Sequence, residues 1–235
     1  MNSDSSVAKY SLALAIGLGL GMIFSYYLLL RRGYFDLYIA NKVFAGVAAV
    51  MLGLVLLIGP ASRYFDIFDG LVRYRKHFGI VAFLFAAVHA WVSYFGLGDH
   101  FSKSLPEFLG LVAGVILGLL FLISRQAVIA RLGAALWWHL QNWGVRIAFL
   151  FVVLHVFVMK FPSWVSWYQK GGGKELREPN WPGAGLLVGW FLFFVVVVRI
   201  SELGGLRFGR AVWYLSAFLL PAVYVFTFWW GSRFA

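Results

Sequence analysis

An all-α integral membrane protein, built as a bundle of about seven transmembrane helices, is the fold class this sequence predicts. Three observations lead there. Of 235 residues, 62% are hydrophobic and only 12% are charged. The mean hydropathy is +0.84, well above that of soluble domains. The apolar residues also come in unbroken runs of about 18 or more, the length that crosses a bilayer as helix, and not in the ten-residue alternating segments of a barrel.

Each helix follows from one such run, at 10–30, 42–59, 78–97, 107–123, 142–160, 184–200 and 211–230. The first follows the polar start "MNSDSSVAKY". It is too long for the core of a signal peptide and has no small-x-small cleavage site after it, so it reads as a retained helix. Its "GLGLG" lies inside an apolar helix with no strand before it, which predicts close helix packing and not a nucleotide loop. The longest polar stretch, "QKGGGKELREPNWPG", is a glycine- and proline-rich loop between the fifth and sixth runs. Around it Trp164, Trp167 and Trp181 read as an interfacial aromatic belt, and "GGGK" as a flexible turn. The whole chain, 1–235, is expected to be one transmembrane domain with no soluble part. The seventh run lacks a lysine, which argues against a retinal protein.

The net charge of +11 would suggest nucleic acid in a soluble protein. Here the basic residues lie in short loops, where they set topology and meet lipid headgroups, so lipid is the expected partner and nucleic acid is not. With the N-terminus inside, the inner segments carry ten Lys and Arg residues and the outer segments nine. That slight bias favours an inner N-terminus. Cysteine is absent, which excludes iron–sulfur ligation, covalent c-type haem and thiol chemistry.

Five histidines remain. His100 falls in a short polar loop and is expected to be solvated. His89 lies about 17 Å into the third run and His155 about 20 Å into the fifth, at 1.5 Å per residue. Both runs point the same way, so the two rings sit at similar depth. Ionisable groups at such depth are rare and mark sites. Two imidazoles at one level are what a six-coordinate b-type haem requires. The bland alternative for each is an interhelical hydrogen bond.

His77 and His139 stand at the inner ends of the same two helices and are the secondary candidates, for a second haem. Helix geometry disfavours them: His77 is about 120° around from His89, and His139 about 160° from His155. Arg75 and Gln141 instead share a face with His89 and His155, each about 40° off. Arg146 and Lys160, on the fifth helix, are candidates for balancing haem propionates, although Arg146 also reads as snorkelling to the inner interface.

The strings "LLIGPASRY" (56–64), "RKHFGIVAFLFAAVHA" (75–90), "SRQAVIARLG" (124–133) and "WWHLQNW" (137–143) followed by "VVLH" (152–155) resemble the ferric reductase-like transmembrane domain. They are most similar to the haem-binding membrane subunits of bacterial methionine sulfoxide reductase systems. The resemblance covers about residues 45–160 and implies a six-helix core, placed at 42–200, with 211–230 as an additional span. It implies that His89 and His155 ligate haem b, and that the protein sits in a bacterial inner membrane. The family carries a histidine where Gln141 stands, so this sequence departs from the pattern at the second haem.

Three functions are therefore in view. The first is a membrane b-type cytochrome with one haem, or two, passing electrons from an inner flavoprotein or quinol to an outer acceptor. As the chain has no flavin or nicotinamide domain, flavin or quinone and a redox partner protein would be separate, within a larger membrane complex. Trp137, Trp138 and Trp143 could shape an inner docking site. The second is a haem-free structural or assembly subunit with the same fold. The third is a proton pathway, which the near absence of carboxylates within the runs disfavours. On the first reading the chain is an electron-transfer subunit and not a complete enzyme.

Overall fold

A computed structural model describes residues 3–98 and 104–234; His100 and Lys103 lie outside them. The architecture is the expected all-α membrane bundle, and among the described residues there is no strand. The helices are α1 (Ser3–Arg32), α2 (Leu37–Tyr64), α3 (Arg75–Trp91), α4 (Leu105–Ile123), a short α5 (Gln126–Leu132), α6 (Ala134–Lys170), α7 (Ala184–Ser201) and α8 (Gly205–Gly231). Six helical stretches are long and apolar enough to cross a membrane. The last of them, Ala184–Phe234, reverses at Gly205, whose φ of +86° suits glycine. It therefore forms the antiparallel pair α7 and α8, in which the Tyr224 hydroxyl donates to the Leu187 carbonyl at 3.0 Å. The chain is a multi-pass membrane protein.

The helices outrun the apolar runs. α6 has 37 residues and extends beyond 142–160 at both ends. Hydropathy marks the hydrocarbon layer, whereas a helix continues through the headgroup region, where polar residues are tolerated. So His139 and Gln141 belong to α6, and part of the 124–141 loop is helix. The 60–77 loop is also ordered: Asp66–Tyr74 forms 3₁₀ turns leading into α3.

α2 is the hub. In its most apolar stretch 67% of residues are buried inside the bundle, with Val47, Met51, Leu52 and Leu56 in the core beside Val81 and Ala82 of α3 and Leu192 and Val195 of α7. Lipid tails give helices no hydrophobic reason to associate, so close packing over small residues has to hold them together. Gly53 faces Phe191 and Val195, and Gly17, from "GLGLG", faces Phe85 and Val81.

The tryptophans around the long loop differ from an aromatic belt. Trp167 is buried, Trp164 lies over Gly189 of α7, and Trp181 stacks on Tyr27 with ring centroids 5.6 Å apart. They face protein because the loop is fastened to α1. Arg31 Nε donates to the Trp181 carbonyl (2.9 Å), Tyr27 Oη to the Pro182 carbonyl (2.6 Å) and the Glu178 amide to the Arg31 carbonyl (3.0 Å). The "GGGK" turn is likewise ordered, with the Gly172 amide donating to the Pro179 carbonyl at 3.0 Å.

Candidate functional site

Two helix pairs frame the site: α2 with α3, and α4 with α6. The first pair supplies His89 and the second His155. Both rings are half-buried, and they lie within electrostatic reach of each other.

Each ring is oriented by the other helix of its own pair. His89 Nδ1 lies 2.8 Å from Asn41 Oδ1 of α2. Asn41 is buried, and its Nδ2 donates to Ser93 Oγ at 2.8 Å. Because the amide nitrogen is engaged with Ser93, its oxygen faces His89. An amide oxygen only accepts, so Nδ1 of His89 carries the proton. Ser93 stands four residues after His89, on the same side of the helix, within a widened π turn over Val92–Gly96. Such turns occur often at functional sites.

His155 is fixed in the same sense. Its Nδ1 lies 2.6 Å from the carbonyl oxygen of Pro106 in the first turn of α4, so Nδ1 again donates. That turn is set by a capping box: the Glu107 amide meets Ser104 Oγ at 3.5 Å, and the Ser104 amide donates to Glu107 Oε2 at 3.2 Å. Gly110 explains why the carbonyl is reachable. It lies four residues beyond Pro106, and a Cβ on it would come within 3.0 Å of His155 Nδ1. Gly110→Ala should therefore tilt the ring and lengthen its bond to Pro106, and Gly110→Val should break it. In the purified variants this is read as a graded loss of any group the ring binds.

With both Nδ1 atoms donating, each imidazole keeps its lone pair on Nε2. Among the described residues neither Nε2 has a hydrogen-bond partner, and neither is a sealed, unsatisfied atom. A neutral imidazole held through Nδ1–H presents the nitrogen that binds a metal. Among the described residues no group of three or more His, Cys, Asp or Glu could hold a metal ion by itself.

Cations gather at this end of the bundle. Lys160 of α6 is an electrostatic neighbour of both histidines and of Lys42 in α2, and Arg31 and Arg32 lie near Lys42. Lys42 Nζ sits 3.9 Å from the centre of the Tyr38 ring. The nearby carboxylates are committed to caps: Asp36 accepts from the Ile39 amide, and Glu107 closes the α4 box. Among the described residues the one ion pair is Arg199–Glu202, at 2.7 Å and at the opposite end. Asp36, Glu107 and Glu175 act on Lys42, His155 and Arg31 from a distance, but none forms an ion pair with these cations, and an anionic group would relieve their burial cost.

The remaining candidates lie elsewhere. His77 is buried edge-on against Tyr10 of α1, with ring centroids 4.5 Å apart. His139 is exposed beside Trp138. His77 and His139 thus have different ring partners. Gln141 ties α6 to α4, with Nε2 donating at 3.0 Å to both the Leu120 carbonyl and Ser124 Oγ. Arg146 takes the position of its snorkelling alternative, away from the histidines. Its guanidinium lies 5.2 Å from the Trp143 ring and near Arg75 and Arg199, about 13 Å of helix rise from His155. It belongs to the opposite end, and Lys42 takes the place beside Lys160. Trp137 fastens α6 to α4 by donating to the Ile123 carbonyl at 3.1 Å, while Trp138 and Trp143 are exposed.

Asn41, Ser93, Gly110, Lys42 and the Pro106 carbonyl were not identified from the sequence. Asn41 and Lys42 did carry a signal, being polar residues at the start of an apolar run. The sequence matches no protein-family model and no curated protein.

Proposed function

We propose that the chain is a membrane b-type cytochrome of the ferric reductase-like kind, in a bacterial inner membrane, with one haem held by His89 and His155. The observation that carries this reading is the pair of electrostatically coupled imidazoles, each with its Nδ1 proton engaged and its Nε2 free of a hydrogen-bond partner among the described residues. Haem held there supplies a one-electron carrier inside a low-dielectric bundle. Asn41 and the Pro106 carbonyl hold the rings in the ligating tautomer and strengthen them as donors. Lys42 and Lys160 offer charge for the propionates.

His77 and His139 do not face each other, which supports one haem and not two. The electron donor is then a separate flavoprotein or a quinol, and the acceptor a partner on the Lys160 side. The competing reading is a haem-free structural subunit of a membrane complex. A dithionite-reduced minus oxidised spectrum of the purified protein separates them. A b-type α band is expected, and its absence supports the structural subunit.

The lysines give a second expectation. Lys42→Gln combined with Lys160→Gln should weaken haem retention by about tenfold or more, the scale of a lost charge-assisted hydrogen bond. It should also lower the midpoint potential, because nearby cations favour the reduced state. Potentiometric titration of the double variant checks both.

A further inference from the structure

A cavity of about 290 Å³ opens at the opposite end of the bundle, between α2, α3, α4 and α6. Neither His89 nor His155 lines it, and no histidine does, so it offers no imidazole to iron. Its depth is apolar, with Val55, Phe83, Leu117 and Val145 in the walls, and Arg73, Arg75 and Lys76 also line it.

Two independent observations mark it as space kept for a ligand. The first is Gly79, in the body of α3. A mid-helix glycine costs about 1 kcal/mol relative to alanine. Gly17 and Gly53 offset that cost by admitting a neighbouring helix's side chain; a Cβ on Gly79, as on Gly19 and Gly114, would meet nothing within 4 Å, and of these three only Gly79 lines the cavity. Here the missing side chain leaves the cavity open.

The second is charge. Among the described residues no carboxylate forms an ion pair with Arg73, Arg75 or Lys76. Arg75 is half-buried and is repelled by Arg146; the one carboxylate that attracts it, Glu202, is already paired with Arg199.

We propose that this cavity binds an anionic phospholipid, with the phosphate at Arg73, Arg75 and Lys76 and an acyl chain running past Gly79 toward Phe83. Basic pockets between transmembrane helices select acidic headgroups in this way. The volume is enough for a phosphodiester and the first part of one chain, with the rest of the lipid in the bilayer. The bound lipid bridges α3 to α4 and α6, the helices that carry and support the two site histidines. This binding does not depend on the haem reading.

The test uses the full chain, delipidated in a neutral detergent, with thermal unfolding followed after addition of phosphatidylglycerol, phosphatidylcholine or inorganic phosphate. Phosphatidylglycerol is expected to raise Tm by about 5 °C at a hundredfold excess over its Kd, and further with the logarithm of its concentration. Phosphatidylcholine, and inorganic phosphate without a chain, should leave Tm unchanged. Gly79→Leu, which fills the cavity, and the pair Arg75→Gln with Lys76→Gln, which removes charge, should each abolish the response. Gly79→Leu should itself melt no lower than the delipidated parent, so loss of response is not loss of fold. Equal responses to the two lipids, a full response to inorganic phosphate alone, or an undiminished response in both variants would overturn the proposal.

Discussion

His89→Ala and His155→Ala should each leave a folded, monodisperse membrane protein whose haem content has fallen to background. Each variant removes one of two axial nitrogens, and nothing nearby replaces it: His77 is packed against Tyr10 and His139 is exposed beside Trp138. The structural penalty is smaller than the functional one. His89→Ala leaves the Asn41 oxygen without its partner, which costs about 1–3 kcal/mol. His155→Ala frees a helical carbonyl whose backbone bonding is unaffected. His77→Ala and His139→Ala should retain the full haem content of the parent. Haem and protein assayed on the same gel-filtration peak give the comparison. A separable loss of haem signal in either of the last two variants would restore a second site at the Arg75 end.

Asn41→Leu should weaken haem retention by about 10–100-fold while all candidate ligands remain in place, the usual consequence of deleting a residue that orients a metal-binding histidine. Leucine has the branching of asparagine and keeps the buried position filled. What is lost is the acceptor for His89 Nδ1–H, and with it the preference for the tautomer that leaves Nε2 free. Asn41→Asp separates positioning from packing. It keeps an acceptor of the same shape but adds negative charge behind the imidazole, making it a stronger donor, so haem should be retained at a lower midpoint potential. A purely structural Asn41 would give two variants with similar stability losses and no shift in potential. Redox titration of the aspartate variant, beside haem content of the leucine variant, distinguishes the two.

The parts legible in the sequence were those governed by the bilayer and by helix periodicity. Run lengths located the crossing helices, because the hydrocarbon layer imposes them. Depth along two parallel helices brought His89 and His155 to one level. The 100° step put Arg75 on the face of His89 and Gln141 on that of His155; that these two line one cavity, which neither histidine reaches, is seen only in the fold. What periodicity cannot supply is the identity of a partner on another helix. Asn41 lies 48 residues from His89 and Pro106 lies 49 from His155, and only the packing of α2 on α3 and of α4 on α6 joins them.

Gly110 illustrates the same limit. In the sequence it is one of 26 glycines, and only the fold shows that it clears the way to a carbonyl. Arg146 shows it too: its position on α6 allowed both charge balance at His155 and snorkelling to the inner interface, and the cation that joins Lys160 comes from α2.

Haem stoichiometry tests the central claim most directly. Pyridine haemochrome absorbance and amino-acid analysis of one purified, monodisperse sample should give one haem b per chain. A value of zero, after expression with haem precursor supplied, would contradict the assignment of His89 and His155 as ligands.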